Sequence, residues 1–268
     1  MTSVQTMNRG DGASASRLRA LGRAEWLQFT RNRVVVFMAL LFPAVLPLVL
    51  WVIGDQSVQS TATASEIFLL FALGFGVFYP VLSMAVTRRD ENVLKRLRTG
   101  QARDWEILTA IGLPASVLVV VLALIMVVAF STMSMFMPVT APVPHVWPVN
   151  PVLMALVMVL GIACSHGMAL VTSRFTANAE NAQITSMPVL LLMIFSQTQF
   201  RDMLPDNVSS ILDITPFALA IDLFRKGWLG EGFGATFADS WTQLLTLAAW
   251  AVALIWGAYQ YMRWETHR

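Results

Sequence analysis

The side chains able to do chemistry are few and scattered. Three histidines stand far apart, at His145, His166 and His267. There is no H-E-x-x-H, and no group of His, Cys, Asp and Glu has metal-ligand spacing, so the sequence offers neither a catalytic nor a metal site. The one cysteine, Cys164, permits no disulfide within the chain. Ser165 and His166 are adjacent, but neighbours on a helix point apart. His166 lies inside an apolar run, where an ionisable group is a functional candidate. The competing reading is a neutral imidazole hydrogen-bonded within a helix bundle. No G-x-x-x-x-G-K-[ST] occurs, so the chain has no P-loop of its own. No Asp, Glu, Lys or Arg stands near the middle of an apolar run, which speaks against a proton- or sodium-driven transporter. Energy for uphill movement has to come from another chain.

The densest polar stretch is Thr87-Arg88-Arg89-Asp90-Glu91-Asn92-Val93-Leu94-Lys95-Arg96-Leu97-Arg98-Thr99-Gly100. Its spacing predicts a short helix. Leu94 and Leu97 share a face at i, i+3, and Glu91 pairs with Lys95 at i, i+4. A charged helix with a leucine ridge, held between two apolar runs, suits docking into a partner. Asp90, Glu91, Leu94, Lys95, Leu97 and Arg98 are the expected contact residues; the alternative is a solvated loop. The apolar runs are rich in Met and Phe, whose adaptable surfaces suit lipophilic ligands.

Six apolar runs position these residues, at about 34–54, 66–86, 107–137, 152–173, 183–200 and 240–262. Each is of the order of the ~20 helical residues that cross a ~30 Å hydrocarbon core. Apolar residues make up 56% of the chain and charged ones 13%, against about 25% charge in a soluble domain. The mean hydropathy is +0.64. Of the 18 lysines and arginines, only Arg201, Arg225 and Lys226 fall on one side of six crossings. The others flank the opposite ends, including Arg9, Arg17, Arg19, Arg23, Arg31 and Arg33 before the first run. Basic loops stay in the cytoplasm, so both termini are placed there. The expected fold is an all-α integral membrane protein with six transmembrane helices in one domain, residues 16–268. Residues 1–15 are expected to be a disordered tail. Leu18, Leu21, Trp26 and Phe29 share an arc of a helix starting near Ser16, which suits an interfacial helix, with Glu25 interrupting the face. The proline-rich stretch 138–151 reads as stiff and extended, and the segment 201–239 as one or two short helices dipping into the outer membrane surface. Ala72 with Gly76, and Ala163 with Gly167, have the i, i+4 spacing that permits close helix approach. The basic face favours anionic membrane lipid, and the arginines flank spans rather than form a nucleic-acid patch.

The stretch Arg89-Asp-Glu-Asn-Val-Leu-Lys-Arg-Leu-Arg98 resembles the E-x-G-T-L-x-R-L-R-type loop of ABC transporter permeases of the type-2 exporter family, the daunorubicin/doxorubicin drug-exporter branch above all. Asn92 and Val93 stand where that loop has Gly-Thr. Met203-Leu204-Pro205, Ile214-Thr215-Pro216-Phe217 and Ile221-Asp222-Leu223-Phe224-Arg225 are similar to the family's "LP…NP…lDllR" segment. The resemblance implies a permease in the cell inner (plasma) membrane, pairing with itself or a second permease and with two cytosolic ABC ATPase subunits that use ATP and Mg. It implies that residues of about 88–99 contact the ATPase. It also implies a path lined by spans one, two and five, here Phe75, Phe78, Met193, Phe195 and Gln197. Efflux of a drug, antibiotic or natural product, with antibiotic resistance as a consequence, is the implied function. A lipid-linked glycan or polysaccharide is the alternative cargo, and a non-transporting anchor or sensor the alternative class.

Overall fold

The computed structural model describes residues 3–54, 57–100, 102–132, 147–262 and 264 of the chain. Among them the secondary structure is entirely helical: α1 (Ser3–Arg31), α2 (Arg33–Ile53), α3 (Val58–Phe71), a π-helical segment (Ala72–Phe78), α4 (Tyr79–Asp90), α5 (Val93–Arg98), α6 (Asp104–Thr132), α7 (Pro151–Ser173), α8 (Ala182–Phe195), α9 (Thr198–Arg201), α10 (Asp206–Asp213), α11 (Pro216–Leu229) and α12 (Phe233–Tyr261). Five stretches are long and apolar enough to cross a membrane: α2, the continuous Val58–Asp90 helix, α6, α7 and α12. The count becomes six if the bent pair α10 and α11 is taken as one span.

The second span begins at Val58, upstream of the expected 66, because polar residues there are still good helix material. Ser57 caps the helix by accepting from Ser60 N. The Thr61 and Ser65 hydroxyls bond back to the carbonyls of Ser57 and Thr61, at 2.9 and 2.8 Å, and so need no water. On α2, Val35, Ala39, Pro43, Pro47 and Trp51 form a buried stripe of four-residue period. Trp51 Nε1 ends the stripe with a 2.9 Å bond to Thr61 Oγ1. Hydropathy sees none of these polar pairings.

In the middle of the second span seven residues adopt π geometry, with Tyr79 N donating to Gly74 O. Pro80 follows, has no N–H to give and crowds the carbonyl one turn back. A wider turn relieves that crowding. The glycines of the segment let other helices close in. A Cβ on Gly76 would lie 2.4 Å from Val119 Cγ2 of α6, and one on Gly74 3.1 Å from Met193 Sδ of α8. The other small-residue pair is used in the same way, with Gly167 of α7 pressed on the Leu254 backbone of α12.

Two expectations change. Backbone helix extends from Ser3, where a disordered tail over 1–15 is expected, because the segment holds no proline and Gly10 and Gly12 each cost a helix only about 1 kcal/mol. The expected fifth span, 183–200, is broken: α8 has 14 residues, about 21 Å long, and the chain leaves helical geometry at Gln197 before the short α9. The segment 201–239 holds the short helices expected there. α10 and α11 meet at an 81° bend, and α11 is buried among α3, α7 and α12 along most of its length. Its near end lies deep, where Trp250 Nε1 of α12 donates to Ile214 O at 2.9 Å. Its far end returns to the rim, where Asn150 N donates to Gly227 O at 2.9 Å. The pair is thus re-entrant. The proline-rich stretch lies mostly outside the described residues, as do the last residues of the expected third span.

Candidate functional site

The basic end of the bundle gathers α1, α5 and the ends of α4, α6, α7 and α12. Glu91 closes α4, and Asn92 turns the chain with φ of 58°. That left-handed conformation favours glycine and tolerates asparagine next best, so Asn92 can stand where the resembling loops carry Gly. α5 then runs back beneath the bundle. Leu94 on it is wholly buried in the molecule's own core, and Leu97 packs half-buried beside it. The leucine ridge therefore faces inward rather than toward a partner. Apolar surface next to an apolar bundle is covered by the nearest apolar neighbour. Asp90 is also turned inward, its Oδ2 accepting from Ala179 N at 2.9 Å. Of the six expected contact residues, Glu91, Lys95 and Arg98 are exposed, together with Arg96.

Sequence reasoning missed the two arginines that hold this end together. Arg89 is 3% exposed and donates to the carbonyls of Ser173, Thr176 and Ala177 at 2.8, 2.6 and 3.1 Å. Those carbonyls lie at and beyond the C-terminus of α7, where acceptors lack intrahelical donors and positive charge is favoured. Arg88 reaches Glu25 of α1 at 2.8 Å. Burial holds the Glu25 carboxyl above the usual carboxylate range, with Arg88 working against that shift. Glu25 thus sits within the buried face of α1 beside Phe29 and Gly22, while Trp26 is 40% exposed and lies off that face. Farther along α1, Ser14 and Arg17 both bond the Glu106 carboxylate of α6, Arg17 at 3.1 Å. α1 is consequently fastened along α6.

The expected path residues are divided. Phe78 and Met193 are buried, and Gln197 donates from the core to Glu66 O at 3.1 Å. Phe75 is half-buried in a stacked ladder with Phe42 and Phe71, at ring-centroid distances of 4.9 Å to Phe42 and 5.7 Å to Phe71. Phe195 is 43% exposed and meets Phe200 edge-on at 6.3 Å. Phe75 and Phe195 are thus the two that a lipophilic molecule can reach. Phe71, Phe75 and Tyr79 follow at i, i+4, i+8 through the π segment, with Phe42 joining from α2. The outward faces of α2 (Phe37, Leu40, Val45, Val49) and α8 (Ile184, Met187, Leu191) are apolar and exposed.

The opposite end carries a second polar cluster, built in part on the Asp222 and Arg225 of the lDllR-like stretch. Glu66 is 1% exposed and pairs with Arg225 of α11. Arg201, at 6% exposure, pairs with Asp222 of α11 and at 2.7 Å with Asp213 of α10. Burial works against the charge of Arg201, but the two carboxylates outweigh it and hold the guanidinium above its usual range. Asp222 and Arg225 at i, i+3 thus anchor α11 on two sides, and Thr215 caps it by accepting from Ala218 N at 3.4 Å.

Residues 16–229 match the family model described as ABC-2 type transporter. No curated protein matches the chain significantly. Since the matched stretch is most of the sequence, the chain belongs to the ABC-2 type transporter family and is the multi-pass permease part of an ABC exporter, a class that generally works with an ATPase subunit.

Proposed function

As an ABC-2 permease, the chain is, we propose, the membrane half of an efflux system for a lipophilic or amphipathic drug, antibiotic or natural product. It sits in the plasma membrane with both termini cytoplasmic. Two copies, or one copy and a second permease, work with two ATPase subunits that bind ATP and Mg, while the permease itself binds neither. The observation that carries the coupling is the two-sided character of α5. Leu94 fastens it into the bundle, while Lys95, Arg96 and Arg98 stay exposed on its other side and Glu91 is exposed just before it. A helix that follows the second span after a two-residue turn, packed on one side and charged on the exposed side, suits the transmission of a push. The aromatic ladder Phe42–Phe71–Phe75 favours a lipophilic cargo, because stacked rings offer broad apolar contact and no charge.

The test is efflux of a lipophilic cationic dye from vesicles holding the permease with its ATPase. Efflux should require ATP, stop when the ATPase loses its catalytic acid, and weaken on Phe75→Ala. Transport that persists without the ATPase and follows a proton gradient would overturn the proposal. Efflux of a lipid-linked glycan but no dye would move the cargo to that class.

A further inference from the structure

His166 takes no part in the coupling end or in the aromatic ladder. It lies in a groove of about 330 Å³ between α6 on one side and α7 and α12 on the other. The walls are apolar, with Leu113, Val117, Ile162 and Ile255 among them. Thr109 and Tyr259 stand at the end nearer the basic loops. The imidazole lies hard against α6, because a Cβ on Gly112 would fall 2.1 Å from His166 Nδ1. It hydrogen-bonds the Leu108 backbone. A neutral imidazole that donates one N–H keeps a lone pair on its other nitrogen. The nearby Ser116 hydroxyl is already given to Gly112 O at 2.8 Å. His166 therefore supplies the groove with an acceptor and no charge.

The groove opens sideways into the membrane. Val117, Val159 and Tyr259 on its border are 43%, 61% and 40% exposed. His166 lies about 10 Å along α7 from Ser173, at a rise of ~1.5 Å per residue, which places it within the leaflet next to the basic loops. No lysine, arginine or carboxylate lines the groove, so nothing in it would hold an ionised headgroup. We propose that this groove binds a hydroxyl-bearing amphiphile drawn from that leaflet, its chain along α6 and its O–H donated to His166. A second groove in the same α6–α7 seam supplies the contrast. It measures about 230 Å³, shares Val159, and is lined by residues such as Val120, Leu124, Met158 and Phe224 that offer no side-chain hydrogen bond. It should take any apolar chain without preference.

The test uses the full-length permease in lipid nanodiscs with two photoactivatable probes, diazirine-bearing hexadecanol and diazirine-bearing hexadecane. Labelled residues are mapped by mass spectrometry. The alcohol should label the groove around His166 roughly three- to tenfold more than the alkane, the range expected of one hydrogen bond within a membrane. The outer groove should take both alike. His166→Phe should lower the alcohol's preference at least twofold, and His166→Gln, which keeps an acceptor, should preserve it. Val117→Trp, on an exposed helix face, should cut labelling by both without disturbing the core. Equal labelling in the unaltered protein, an undiminished preference in His166→Phe, or labelling untouched by Val117→Trp would each overturn the site. The readout needs neither ATPase nor transport, so it stands apart from the export proposal.

Discussion

Truncating Leu94 separates a packing role from a docking role. Leu94 is 0% exposed within the permease alone and belongs to its contiguous core. Leu94→Ala removes three carbons from a closed site, and such changes cost about 2–5 kcal/mol. At roughly 2–4 °C per kcal/mol for a chain of this size, the thermal midpoint of the purified permease should fall by roughly 5–15 °C with no ATPase present. Glu91→Lys is the companion. Glu91 is exposed at the start of α5, and surface changes of this kind stay within about 0.5 kcal/mol. Its melt should match the unaltered protein, while co-purification of the ATPase falls. Nano-scale fluorimetry in detergent reads the first quantity, and affinity capture of the tagged permease the second. The reasoning is refuted if Leu94→Ala leaves the melt unchanged yet abolishes ATPase capture, for then the leucine ridge faces the partner after all.

Arg89→Met should leave the Ser173, Thr176 and Ala177 carbonyls without their charged donor, at a cost of about 3 kcal/mol or more, and amide exchange over 174–181 should quicken; unchanged exchange there would remove the clamp. Glu66→Gln and Arg225→Met should each destabilise the permease, and the double variant should be milder than their sum by at least about 1 kcal/mol; simple additivity would show that the pair does not hold α11. Gly167→Ala places a Cβ 2.8 Å from a backbone carbon of Leu254, which cannot step aside, so about 1–3 kcal/mol should be lost; Gly257→Ala, whose nearest neighbour is Val171 Cγ2 at 3.7 Å, should be silent in the same melt. Reporter fusions at the two termini should both read the cytoplasm, and an external signal at either end would invert or break the orientation drawn from the arginines.

What the sequence disclosed followed from patterns that need only one segment. α2 and α7 fall almost where hydropathy draws them, and Gly76 and Gly167 make the close approaches that their spacing suggests. What stayed hidden depends on two segments at once. The charges in 201–239 argue against a full span when they are counted along the chain. Arg225 meets Glu66 and Arg201 meets Asp222, and with those pairs made α11 can be buried. Leu94 and Leu97 spell the same i, i+3 ridge whether they face a partner or their own bundle; only burial separates the two. Glu25 breaks an apolar arc in projection, yet with Arg88 beside it Glu25 packs with Phe29 while Trp26 of the arc stays out. Among the expected path residues, Met193 went inward against Gly74 of the π segment and Gln197 onto Glu66 O, and a π segment has no signature in a run of apolar residues.

The π segment also decides how the two polar clusters can act on one another. The helix from Val58 to Asp90 is about 50 Å long at ~1.5 Å per residue, and it carries Glu66 near one end and Arg89 near the other. At the first end it is tied through Arg225 to the re-entrant α11, and at the second through Arg88 to α1 and through Arg89 to α7. A uniform α-helix so anchored would move only as a rod. Seven π-helical residues in its middle make it a rod with one joint, because returning a π turn to α geometry shifts everything beyond it by one residue, a turn of about 100°. Phe75 lies within that joint and Phe71 borders it, so such a change would turn Phe75 against Phe42 and would require the ties at one anchored end to be remade.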